Sequence, residues 1–161
     1  PATFYQYFKD VEDAVLTLAE LACAETPAMA EFLDGSWRGD EGLERARGIV
    51  DAFILHWDDH HAVLRVRNLA SDEGDLQFRA VRGRASGPVL RGIMRLIEES
   101  QREGRISKRE NPLAVAASMG AVLERMAAYH RELESGGISR DDLVETCARI
   151  LHRTVTGESH Q

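Results

Sequence analysis

The sequence predicts an all-α fold, a helical bundle of about six or seven helices. Three observations carry this. Apolar residues recur at the spacing of helix faces through most of the chain. No run of alternating β-branched residues sits between hairpin turns, so the strand pattern fails. Capping side chains, prolines and glycines fall where the helical runs begin and end.

The first predicted helix starts after Asp10, a fair N-cap, with Val11, Val15, Leu18, Leu21 and Ala22 on one stripe. It runs to about Glu25–Pro27 or one turn beyond. "DGSWRGDEG" supplies turn chemistry. The next helix carries Leu43, Ala46, Ile49, Val50, Phe53, Ile54 and Trp57 on one broad face, and "DDHH" with "VLRVRNLAS" suggests a bend and a short helix. From Asp75 the pattern resumes through Leu76, Phe78, Val81 and Ala85. Pro88 then either kinks a long helix or starts a new one. Val89, Leu90, Ile93, Met94 and Ile97 continue to "REGRIS", where Gly104 reads as a C-cap. Asn111-Pro112 opens a strong helix that Gly136-Gly137 ends. Ser139 caps the last helix, with Asp141 and Asp142 in its first turn, where the helix dipole favours acids.

At 161 residues, 43% of them hydrophobic, the chain can bury one ordinary core and is short for two. A net charge of −7 argues against electrostatic nucleic-acid binding by this chain alone. Cys23 and Cys147 lack metal-ligand spacing and read as buried thiols in a reducing compartment. No apolar run approaches the roughly 20 residues that span a bilayer, and no signal-peptide pattern is present, so a soluble cytoplasmic protein with no membrane partner is expected.

Four constellations bear on chemistry. His56 and His60 share a helix face at i, i+4 with Asp59 and His61 nearby, a pattern that suits zinc. No third ligand segment is evident and "HExxH" is absent, so neither a metal nor a cofactor is expected. No nucleophile motif or phosphate loop appears, and catalytic residues are not expected. The arginines Arg65, Arg67, Arg79, Arg82, Arg84, Arg91 and Arg95 do not share one stripe and read as solvated faces and ion pairs.

The penultimate helix is rich in small side chains, with Ala117, Ala121 and Ala128 on one stripe where another backbone can approach closely. The last helix has a wide stripe of Leu143, Val144, Cys147, Ile150, Leu151 and Val155. Together they suit half of an intersubunit four-helix bundle, with Ala117, Ala121, Ala128, Leu143, Cys147 and Ile150 at the interface; an ordinary monomeric core fits the same pattern. Phe53 and Trp57, with Met94, Met119, Leu123 and Met126, suit an adaptable hydrophobic-ligand cavity with Tyr129 offering a hydroxyl. They equally suit a plain core.

The opening "TFYQYFKDVEDAVLTLAELA" resembles the end of the helix-turn-helix of TetR-family transcriptional regulators. Thr3, Phe4, Tyr5, Tyr7 and Phe8 match that signature, and Lys9-Asp10 link it to a connecting helix. "HHAVLRV" leans toward the EthR-like branch. The resemblance implies that residues 1–9 are the remnant of a DNA-recognition helix whose preceding helices are missing, and that residues 10–161 form an effector-binding and dimerisation domain. It implies that Thr3, Tyr5, Tyr7 and Lys9 lie toward operator DNA, although Val11 stands where the family usually has a phosphate-contacting lysine. The implied protein is a homodimeric regulator, most often a repressor in this family, released from its operator by a small hydrophobic effector. The alternative is a small helical enzyme or metal-binding protein using the His56–His61 region.

Overall fold

The computed structural model describes residues 7–158; Thr3 and Tyr5 lie outside them. Among the described residues are five α-helices, fewer than the sequence suggests, and one 3-10 turn: α1 Val11–Ala30, the turn Glu31–Leu33, α2 Gly39–Glu73, α3 Leu76–Arg102, α4 Pro112–Ser135 and α5 Arg140–Thr156.

The caps read from sequence are in place. Asp10 accepts from the Asp13 amide at 2.9 Å, Asn111 from Ala114 at 3.1 Å, and Ser139 from Asp142 at 3.1 Å. Gly74 ends α2 in the left-handed conformation. α1 continues one turn past the "ETP" and contains Pro27. A proline there deprives the Cys23 carbonyl of its helical donor, and the Thr26 hydroxyl donates to that oxygen at 2.8 Å instead.

Two sequence expectations are corrected. The bend at "DDHH" is absent, because α2 is one helix of 35 residues. From Ile49 to Glu73 no glycine or proline interrupts the ladder, and the polar run only marks its outer side. On α1 the buried residues are Ala19, Ala22, Thr26 and Met29, while Leu18 and Leu21 remain exposed. Small side chains on the inner face let α1 lie close to its neighbours. Pro88 sits inside a continuous α3, flanked by the buried Ala85 and Val89.

Two cores result. The larger gathers Met29, Leu33, Trp37, Ile49, Ile54, Ile93, Ile97, Leu123 and Leu151, among others, from all five helices and the connecting turn. The smaller consists of Ala19, Phe78 and Val81, with Val15, Leu16, Cys23, Val63 and Ala70 packed around it. α2 is the spine that touches both. At its start, a Cβ on Gly42 would lie 2.1 Å from the Trp37 carbonyl oxygen, so only glycine fits. That carbonyl also accepts from Nε2 of the fully buried His152 at 2.9 Å, tying the turn before α2 to α5.

Candidate ligand site

A cavity of about 270 Å³ opens between α1, α2, α3 and α4. Its walls are Thr26 and Met29 of α1; Phe53, His56, Trp57, Leu64 and Arg67 of α2; Arg82, Ala85, Ser86, Val89 and Leu90 of α3; and Ala117, Gly120, Ala121, Glu124 and Ala127 of α4. The space arises from side-chain size. α4 lines it with alanines and Gly120, where an added Cβ would lie 2.8 Å from Leu90 Cδ2, so the space is left by short side chains between closely packed helices. Of the lining, Ser86, Ala117 and Ala121 are exposed, which puts the mouth between α3 and α4.

One part of the wall is charged. Arg67 is 6% exposed and donates through Nε and Nη2 to Asn68 Oδ1 at 3.0 and 2.8 Å, with Nη2 3.4 Å from Glu124 Oε1. Arg82 donates to Glu124 Oε2 at 3.1 Å and to Asp72 at 2.8 Å, and Asn68 Nδ2 donates to Glu124 at 2.9 Å. Burial pushes the Arg67 guanidinium below its ordinary range, and Glu124 partly offsets this. The lining therefore holds two guanidiniums against one carboxylate, the rest being mostly apolar.

Near this end of the cavity, His56 Nδ1 lies 3.7 Å and His60 Nε2 2.7 Å from Glu25 Oε2. Burial foremost, and then His60, lower the His56 pKa, while Glu25 and Asp59 partly offset this. The hydrogen bond with His60 holds the Glu25 carboxyl below its usual range. Asp59 and His61 are exposed, whereas Asp58 accepts from Arg131 at 2.8 Å and lies 3.3 Å from the buried His130.

Of the ligand-site residues read from sequence, Phe53 and Trp57 border the cavity together. Met94, Met119 and Met126 are half-buried against the large core, and Leu123 lies within it. Tyr129 is exposed with the Arg125 guanidinium 3.6 Å over its ring. Ala117 and Ala121, expected at a dimer interface, line the cavity mouth; Ala128 and Leu143 are half-buried, Ile150 is exposed, and Cys147 is inside the protomer's own core. Tyr7 and Lys9 are exposed. The sequence pattern does not single out Met29, Leu64 or Glu124, and it reads Arg67 and Arg82 as ion pairs, which they form with Glu124, but not as cavity lining. Arg67 carried a signal: Phe53, Trp57, His60, Leu64, Arg67 and Ser71 continue one inward stripe at helical spacing.

Residues 29–161 match the family model described as "Tetracyclin repressor-like, C-terminal domain". The chain belongs to this family of transcriptional regulators. No curated protein matches it. Membership agrees with the all-α architecture and points to a regulator, not an enzyme. No described helix is long and apolar enough to cross a membrane.

Proposed function

We propose that this chain is the effector-sensing and dimerisation body of a ligand-responsive transcriptional regulator, acting as a repressor that an effector releases from operator DNA. The observation that carries the reading is a largely apolar cavity between α1 and the spine of a TetR-like C-terminal domain. The effector is small, with an apolar body against Met29, Phe53, Trp57 and Leu90 and an anionic or acceptor group toward Arg67 and Arg82. Because Thr26 and Met29 belong to α1, occupancy bears directly on the helix that leads from the N-terminal signature. It exerts control to the extent that it favours one position of α1 over another. Operator contact belongs to a head preceding α1, with Tyr7 and Lys9 at its edge. A homodimer forms through the outer faces of α4 and α5, where Leu113, Val122 and Ile150 are exposed.

The test uses anilinonaphthalene sulfonate, an aromatic dye with one anionic group. Dye fluorescence should rise on binding and Trp57 emission should fall. Ser86→Phe, which fills the mouth from α3, and Arg67→Met, which removes the buried cation, should each weaken binding by about tenfold, roughly 1.4 kcal/mol. Dye binding that is absent, or indifferent to both substitutions, would count against the site.

A further inference from the structure

We propose that Glu25, His56 and His60 form a binding site for a divalent transition ion of the zinc class, bridging α1 and α2. One ligand atom from each residue lies within 4.8 Å of the other two. The two imidazoles stand one turn apart on α2 with ring centroids 4.9 Å apart, and the carboxylate comes from α1. It is the third ligand that the sequence alone does not supply.

The three ligand atoms stand close enough for one ion after small side-chain shifts. A hydrogen bond accounts for Glu25 and His60 at 2.7 Å. It does not account for His56, whose Nδ1 lies 3.7 Å from the same carboxylate oxygen, outside hydrogen-bond range. Tetrahedral zinc, with bonds of about 2.0–2.1 Å, holds its ligand atoms roughly 3.3–3.4 Å apart. The Glu25–His56 pair is near that spacing already. The Glu25–His60 pair must open by about half an ångström or slightly more. The Glu25 and His60 side chains are 58% and 24% exposed, so they can move without disturbing either core. The His56 side chain, 11% exposed, is the fixed point.

The donor set selects the ion. Two imidazole nitrogens and one carboxylate, with a fourth position for water, match the three-ligand pattern of zinc sites. Magnesium and calcium prefer all-oxygen shells and are disfavoured. His56 also lines the cavity. A bound ion would therefore fasten the C-terminal part of α1 to the spine beside the ligand site. This proposal does not rest on the effector reading.

The test is calorimetric titration of the tag-free 161-residue chain with zinc sulfate, repeated with cobalt and followed by visible absorption. One equivalent should bind, cobalt should give the bands of a four-coordinate ion, and zinc should raise the thermal midpoint. His60→Ala and Glu25→Gln alter partly exposed side chains and should leave the fold intact. Each should lower affinity at least tenfold and abolish the thermal shift, while His61→Ala should leave both unchanged. No binding at millimolar zinc, or binding that survives both substitutions, overturns the proposal.

Discussion

Gly42→Ala should be among the most damaging single-methyl additions in this protein. The new Cβ would sit 2.1 Å from the Trp37 carbonyl oxygen and 2.2 Å from its carbon, both backbone atoms. Trp37 is held on two sides: its carbonyl accepts from His152 at 2.9 Å, and its indole N–H donates to the Phe32 carbonyl at 3.2 Å. Overpacking a site that cannot relax costs about 1–3 kcal/mol. If Trp37 yields, the buried His152 nitrogen loses its acceptor, which costs about 1–3 kcal/mol more. The expected loss is about 2–6 kcal/mol, or roughly 4–24 °C in thermal midpoint for a domain of this size. Urea unfolding followed by circular dichroism, at one fixed protein concentration, measures it. Gly83→Ala is the internal control: nothing lies within 4 Å of its added Cβ. In mid-helix it should gain about 0.5–1 kcal/mol. The reasoning fails if Gly42→Ala stays within about 0.5 kcal/mol of the parent or moves with the control.

Glu145, bridging Arg47 of α2 and Arg149 of α5, is held at about 2, chiefly by the Arg47 hydrogen bond. Its folded value lies below the ordinary 4.5, so its contribution is complete above that pH and fades as pH falls toward 2. Solvent screening keeps it to about 1 kcal/mol, and the gap in urea midpoint between parent and Glu145→Gln should be wider at pH 6 than at pH 3. Burial pushes the Cys147 thiol up to about 11, so a disulfide-exchange reagent at pH 8 should modify one cysteine, Cys23, in the native protein and both in urea. Equal fast reaction at both sites would contradict the packing of α5. Ile150→Asp, at a residue 46% exposed in the protomer, should give folded monomers in sedimentation at micromolar concentration. A dimer that survives it would take α5 out of the interface.

Helix ends were legible because their chemistry is local: Asp10, Asn111 and Ser139 each cap within three residues of themselves. The buried faces of α2 and α3 follow from periodicity for the same reason, except that Leu76, at the first turn of α3, is 74% exposed. The cavity was legible only in part. Periodicity placed Phe53 and Trp57 on an inward face, but it could not tell a filled interior from an open one. The opening combines those rings on α2 with the short side chains of α4 and Leu90 of α3, a match between helices far apart in sequence. Adaptability makes Met94, Met119 and Met126 read as lining, yet they pack against the large core. Glu25 escaped notice because it meets His60 from 35 residues away. On α1, exposed leucines outranked buried alanines in any hydrophobicity reading, although the smaller residues make the contact.

The division into two cores makes α1 a lever. Its C-terminal end is seated by Met29 in the large core, while its N-terminal half rests on the small core around Ala19 and Phe78. Thr26, beside Pro27, stands at the fulcrum and also borders the cavity. From Thr26 to Val11 the arm is roughly 22 Å at the rise of an α-helix. A tilt of about 5° at the fulcrum therefore sweeps Val11 through about 2 Å, the scale of helix shifts in switching proteins. A guest that pushed Met29 by about 0.4 Å would act on the short side of that lever, three residues against fifteen, and would carry Val11 about five times as far.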